Sequence, residues 1–320
     1  MNGRRLAKVK RDRLATKPMP AARAPETTTD EGQPPRVGPR RTMPERGGLA
    51  PFLKWVGGKR SLLPQLLAFI PPKIKTYYEP FIGGGAVFFE LARLGRFQRA
   101  RLSDSNEELI RCYAAIKRDV AQVVRALEKH HYDEEAYYRV RELDPDKLSD
   151  PECAARTIYL NRCGFNGLYR VNQSGRFNVP FGHHVKPRLI QPERLRLVSE
   201  ALQNAHLEAG DFETVVAGAG RGDFIYFDPP YVPVSATAKF TAYARLGFAG
   251  ADQERLAALL RRLGKARVTA LLSNSDCAET RRLYRGLPFS AVDVRRSINS
   301  DSTKRGPVSE LIVRSFSYPC

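Results

Sequence analysis

The sequence predicts an α/β protein whose sheet is covered by helices on both faces. Three observations carry the prediction. Short β-branched and aromatic segments alternate with segments of helical period along most of the chain. A glycine turn, Gly83-Gly84-Gly85, joins a strand-like segment to an apolar helix. Two strand-like segments end in an aspartate, Asp104 and Asp228, and in open α/β sheets the carboxyl ends of strands face the ligand crevice. At 320 residues and 42% apolar content, the chain can bury the core such a sheet needs.

Residues 1–48 carry 12 basic and 5 acidic residues, many prolines and no apolar periodicity, so they are expected to form a disordered basic arm. Next, Ser61 is expected to cap a helix carrying Leu62, Leu63, Leu66, Leu67 and Ile70, with Pro64 in its first turn and Pro71-Pro72 ending it. Thr76-Tyr77-Tyr78 reads as a strand, followed by the glycine turn and a helix through Leu94. A second strand spans about Arg99 to Ser103. Glu107 to about Cys163 reads as mostly helical, and Phe165 to Pro180 as a hairpin turning at Gln173-Ser174-Gly175. Strands follow at Asp223 to Phe227, Arg267 to Leu272 and Ser290 to Arg295, alternating with helices around Ala251 to Leu263 and Cys277 to Tyr284. The expected organisation is an arm over 1–48, an α/β core over 49–105 and 192–320, and a helical and hairpin insert over 106–191.

Composition narrows the partners. The 53 basic and 34 acidic residues leave a net charge of +19, which points to a polyanion such as nucleic acid. No run of about 18 apolar residues occurs and the basic N-terminus lacks an apolar h-region, so neither membrane insertion nor export is expected and the chain reads as cytoplasmic. Cys112, Cys153, Cys163, Cys277 and Cys320 are scattered without CxxC spacing and read as reduced structural thiols. Four of the five histidines form the adjacent pairs His130-His131 and His183-His184, a poor spacing for a shared ion, and no metal is implied.

The most informative string is Asp223-Phe224-Ile225-Tyr226-Phe227-Asp228-Pro229-Pro230-Tyr231, an apolar strand ending in a carboxylate, two rigid prolines and an aromatic ring. The prolines fix their φ angles and donate no N–H, so the turn can aim carbonyl oxygens outward. Asp228 and the Pro229 carbonyl then form a pair of acceptors. An exocyclic amine on a nucleobase offers two donors, and its lone pair is delocalised into the ring until those hydrogens are held out of plane. Tyr231 supplies a face for a base taken out of its stack.

In Glu79-Pro80-Phe81-Ile82-Gly83-Gly84-Gly85-Ala86 the glycines let backbone approach a ligand, and Asp104 follows Gly85 by 19 residues, where an acid accepts ribose hydroxyls. A nucleoside-containing cofactor is implied. A dinucleotide fold is disfavoured, because the third glycine of GxGxxG would fall on Phe88. Phe52-Leu53-Lys54-Trp55-Val56-Gly57-Gly58-Lys59 is no phosphate-binding P-loop, since Leu53 and Arg60 stand where that motif needs glycine and Ser or Thr.

With these strings, and with Asn161 to Asn172, Phe177 to Gly182, Ser235 to Tyr243 and Val294 to Ile298, the chain resembles the Dam-type branch of the adenine-N6 DNA methyltransferases from Pro51 to about Phe316. The resemblance implies a Rossmann-like sheet that uses S-adenosylmethionine, with an inserted helical and β-hairpin target recognition domain. It implies cofactor contacts from Trp55, Lys59, Phe81, Gly83, Gly85, Asp104 and Asp228, and catalysis at Asp228, Pro229, Pro230 and Tyr231. Double-stranded DNA would meet Lys54, Phe165, Asn166, Leu168, Arg170, Asn172 and Pro180, with Phe165 as a wedge and GATC as the target. No obligate protein partner is implied.

The chain departs from close members of that branch at His183-His184-Val185, where more basic residues are frequent, at Phe165, where tyrosine is frequent, at Ser105, and in its long arm. The rival activities are cytosine-N4 and glutamine-amide methylation, whose leading residue is usually Ser or Asn where this chain has Asp228. A cytosine-C5 mechanism would need a Pro-Cys nucleophile, which neither Cys112 nor Cys163 provides. A DNA-binding relative without catalysis is the remaining alternative, and Asp104 and Asp228 speak against it.

Overall fold

The computed structural model describes residues 48–55, 57–172, 174–185, 187–233, 248, 250–295 and 307–317. The arm up to residue 47, Gln173 in the hairpin turn, the Ser235 to Tyr243 segment, most of the Val294 to Ile298 segment and Cys320 lie outside the described residues.

Seven strands form one sheet: β1 (Ile74–Glu79), β2 (Phe97–Asp104), β3 (Ala205–Ala209), β4 (Phe224–Phe227), β5 (Thr269–Ser275), β6 (Phe289–Arg295) and β7 (Pro307–Arg314). Their order is β3-β2-β1-β4-β5-β7-β6. The first five pair in parallel, whereas β7 runs antiparallel to both β5 and β6. This is a mixed, mostly parallel sheet of Rossmann-like α/β type, and the chain reverses its strand order at β1 and β4, where such folds open a crevice.

Successive side chains along a strand point to opposite faces, and here that alternation builds two cores. Tyr77, Phe224, Tyr226 and Leu271 join the cluster that also holds Val87, Phe88, Leu109 and Ile158. Their neighbours Tyr78, Ile225, Phe227 and Leu272 join the opposite cluster with Val215, Leu256, Leu260 and Leu283. The fully buried run Phe224–Phe227 thus feeds both faces, as expected for a central parallel strand.

Helices follow the strands. After α1 (Leu63–Leu67) come α2 (Ala86–Arg93), α3 (Glu107–Glu128), α4 (Glu134–Glu142), α5 (Asp150–Cys163), α6 (Pro192–Leu202), α7 (Phe212–Val216), α8 (Gly250–Lys265) and α9 (Ala278–Leu283). The N-cap expected of Ser61 is not there: Ser61 closes a 3-10 turn (Lys59–Ser61), and the helix is five residues long with Leu62 at its cap and no side-chain cap bond. Asn106 caps α3 through Leu109 N at 3.0 Å. That helix breaks at Asp119, whose carboxylate accepts Gln122 N and restarts it.

Helix α5 is buried nearly all round, and the side chains of its buried Arg156, Thr157 and Asn161 are hydrogen-bonded. Arg156 donates to Glu108 of α3 at 3.0 Å and to the carbonyls of Val140 and Arg141 on α4, tying three helices together. Asn161 accepts Lys54 N at 2.8 Å and donates to the carbonyls of Lys54 and Gly167. Beyond α5, the bridges Gly164 with Phe181 and Val171 with Phe177 form an irregular hairpin, turned by Gly175 at φ +75°. No helix among the described residues is long and apolar enough to cross a membrane.

Candidate active site

The carboxyl ends of β1, β2 and β4 bring the first two motifs side by side. Gly83 and Gly85 have φ of +45° and +69°, values that favour glycine. A Cβ on Gly83 would stand 2.7 Å from Trp55, and one on Gly85 would stand 2.9 Å from Phe89 and the Tyr113 hydroxyl. The loop is held from both sides: Gly83 N donates to Asp104 Oδ2 at 3.0 Å, and Tyr113 donates to the Gly83 carbonyl at 3.0 Å. Asp104 Oδ1 takes Asn106 N at 3.1 Å; burial pushes the carboxyl up, and the amides at Asn106 and Gly83 oppose that. The Trp55 indole stacks on Tyr169 at 5.4 Å. Phe81 faces Phe212 at 5.6 Å and Phe248 edge-on at 5.5 Å.

At the foot of this loop is an acid that sequence reasoning quoted without giving it a role. Glu79 is buried, accepts Tyr77 Oη at 2.8 Å and Phe88 N at 3.1 Å, and has its carboxyl pushed up to about 8 by burial. Ionising it would place a charge in the core, so the proton is retained through the neutral range.

Asp228 stands at the end of β4. Its Oδ1 is doubly occupied, by Lys59 Nζ at 2.7 Å and by Ser273 Oγ at 3.0 Å. No described residue hydrogen-bonds Oδ2 or the Pro229 carbonyl. Burial raises the Asp228 carboxyl, and Lys59 and Ser273 counteract part of that rise. Tyr231 donates to Glu310 on β7 at 2.8 Å, and the Lys59 ammonium lies 4.7 Å from its ring centroid. The Pro230 carbonyl is taken by Gln253 at 2.8 Å. The arrangement leaves one carboxylate oxygen and one carbonyl for a two-donor amine beside an aromatic ring.

The family model for D12 class N6 adenine-specific DNA methyltransferases matches residues 55–298. The chain belongs to that family. Its relatives include the type II methyltransferase M1.LlaDCHI of Lactococcus lactis subsp. cremoris, 41% identical over 84% of this chain and 96% of the relative. The type II methyltransferase M.MjaIII of Methanocaldococcus jannaschii is 38% identical over 83% of this chain and 99% of its own. The DNA adenine methylase of Escherichia coli K12 is 38% identical over 82% of this chain and 93% of its own. The methyltransferase is thus an enzyme that methylates adenine in DNA.

The residues expected at DNA fall in one neighbourhood of the methyltransferase. Asn161 joins the Lys54 backbone to the Phe165–Gly167 turn, and a Cβ on Gly167 would stand 2.5 Å from that of Lys54. Burial and the nearby Arg162 charge lower the Lys54 pKa. Phe165 is 47% exposed, and the following Asn166 takes φ +55°. Pro180 is exposed, and its carbonyl accepts Phe165 N at 2.9 Å. Leu168 is half-buried against the core.

Two of these residues are also committed within the hairpin. Arg170 donates through Nε to Asn178 Oδ1 at 2.6 Å and through one terminal nitrogen to the Asn178 carbonyl at 2.9 Å. Asn172 Oδ1 accepts Ser174 N, Ser174 Oγ and Arg176 N, so it organises the turn. Lys59, expected at the cofactor, has its ammonium on Asp228. Sequence reasoning missed Ser273, Gln253, Asn274, Glu310, Asn161 and Asn178; the signal open to it was a run of three polar residues, Ser273-Asn274-Ser275, closing an apolar strand.

Proposed function

We propose that this enzyme transfers the methyl group of S-adenosylmethionine to N6 of adenine in double-stranded DNA, within GATC. The observation that carries the reading is the division of labour at Asp228, whose Oδ1 is saturated by Lys59 and Ser273 while Oδ2 and the Pro229 carbonyl stay open to an amine. Two acceptors hold the two amine hydrogens, which turns the nitrogen lone pair out of conjugation. Tyr231, fixed by Glu310, supports the base that must leave its stack. The amine nitrogen would then attack the methyl carbon as its bond to sulfur breaks, S-adenosylhomocysteine leaving and one amine proton passing to solvent, with no covalent enzyme intermediate.

Trp55, Phe81, Gly83, Gly85 and Asp104 would hold the cofactor, and the set suits it: a tight glycine loop packed on an indole ring, and a carboxylate at the end of β2 that would accept ribose hydroxyls. Bound there, it supplies a methyl group activated on a sulfonium. Residues 106–191 form the target recognition segment in this reading. Phe165 is its exposed wedge, Arg170 its guanine reader, and Lys54, Asn166, Leu168, Asn172 and Pro180 line the DNA. A net charge of +19 favours the phosphate backbone.

The test is sequencing of adenine-containing duplex DNA after incubation with enzyme and S-adenosylmethionine. N6-methyladenine in GATC is the expected product. Methyl groups on cytosine N4, or unmodified DNA, would overturn the assignment.

A further inference from the structure

Strand β5 closes on three consecutive polar residues, Ser273, Asn274 and Ser275, with relative exposures of 0%, 0% and 2%. Buried polar groups cost stability unless they are paired. Here all three are paired to the segment Asp228 to Val232. Ser273 donates to Asp228 Oδ1 at 3.0 Å. Asn274 accepts Val232 N at 3.0 Å and donates to Gln253, which holds the Pro230 carbonyl. Ser275 donates to the Val232 carbonyl at 2.5 Å. The backbone around Tyr231 is therefore fastened on both sides, leaving rotation of the Asp228 side chain as the freedom still to be removed.

The geometry points to Ser273 as the positioning residue of Asp228: it and Lys59 pin Oδ1, so that Oδ2 is the oxygen turned toward the target amine. A serine has one hydroxyl hydrogen. Since that hydrogen goes to the carboxylate, the buried Tyr226 hydroxyl, 2.8 Å away on the neighbouring strand, is the donor to Ser273 Oγ. Tyr226 and Ser273 thus form a donor chain that ends on the carboxylate, and each bond polarises the next. The hydrogen bond from Ser273 also opposes the upward push that burial exerts on Asp228. The inference rests on the reading of Asp228 as the amine acceptor.

The test is single-turnover methyl transfer to a GATC duplex across pH, for the parent, Ser273→Ala and Asp228→Asn, with DNA and S-adenosylmethionine affinities measured alongside. Ser273→Ala should slow transfer about tenfold or more, move the acid limb to higher pH, and leave both affinities within about twofold. A fall by the same factor at every pH, with the limb in place, would reduce Ser273 to packing and overturn the proposal. So would a rate equal to the parent's while Asp228→Asn is inert. If Asp228→Asn turns over normally, the reading of the site itself fails. Should Ser273→Ala not fold, Tyr226→Phe reads the same limb one bond further away, with a smaller move in the same direction expected and no move contradicting the chain.

Discussion

The Lys59 ammonium lies 2.7 Å from Asp228 Oδ1 and 4.7 Å from the Tyr231 ring centroid, joining the segment before α1 to the turn after β4. Both partners are largely buried, so deleting one leaves a charge without its counterpart. Lys59→Met should cost up to about 3–5 kcal/mol of stability at high pH. The loss should shrink on acidification, because a protonated Asp228 needs no partner. If Asp228 acts as the ionised acceptor proposed above, activity should be lost as pH falls through its raised pKa. Removing Lys59 should therefore move the acid limb of methyl transfer upward. An unmoved limb would show that the pair does not govern ionisation of Asp228.

Glu79 gives a stability signature of opposite origin. Its carboxyl sits at about 8 when folded and in the ordinary carboxylate range when unfolded, so between those values the folded state holds the extra proton. Stability should be full below about pH 4 and fall as pH rises toward 8, at no more than about 1.4 kcal/mol per pH unit. Glu79→Gln keeps an acceptor for Tyr77 and Phe88 but cannot ionise. Urea denaturation of this variant at pH 6 and pH 8 should show a smaller difference than the parent.

Trp55 is the only tryptophan and packs against Gly83. Adding S-adenosylmethionine should change the intrinsic emission. Gly83→Ala would drive a Cβ to 2.7 Å from the indole at φ +45°, and should weaken cofactor binding about tenfold or more. Unchanged emission despite binding seen by calorimetry would remove Trp55 from the site.

Phe165 carries 47% of its surface to solvent, so its loss should leave the melting temperature nearly unchanged. As a wedge it should matter most on intact duplex. Phe165→Ala should slow methylation of paired GATC several-fold and affect a substrate with the target adenine mispaired much less. Equal effects on both would place Phe165 outside duplex opening.

Arg170 keeps its other terminal nitrogen clear of the Asn178 bonds, leaving a donor edge for O6 and N7 of guanine. Arg170→Ala should relax preference at one guanine position by about 1–3 kcal/mol while near-cognate sites are still methylated. A uniform fall over all sites, with a shallower salt dependence, would return Arg170 to the phosphate backbone.

The parts of this fold that read clearly from sequence are those where local pattern and tertiary role agree. The strand running into Asp228, the glycine turn before α2 and the strand ending at Asp104 stand within a residue or two of their expected places. β3 carries no clear strand signal, because Ala205–Ala209 is half exposed and includes His206 and Glu208. The sequence pattern ends β5 at Leu272, short of Ser275, because Ser-Asn-Ser is polar and its burial depends on partners after β4. The Lys59 to Asp228 pair has no local signal, because it joins the turn before α1 to the turn after β4, two segments far apart in the sequence.

The most direct measurement compares Asp228→Ala with the parent by calorimetric titration of S-adenosylmethionine, binding of a GATC duplex, and transfer of labelled methyl to adenine N6. If Oδ2 of Asp228 and the Pro229 carbonyl hold the amine, both affinities stay close to the parent's and transfer disappears. Near-normal turnover in Asp228→Ala would contradict the account.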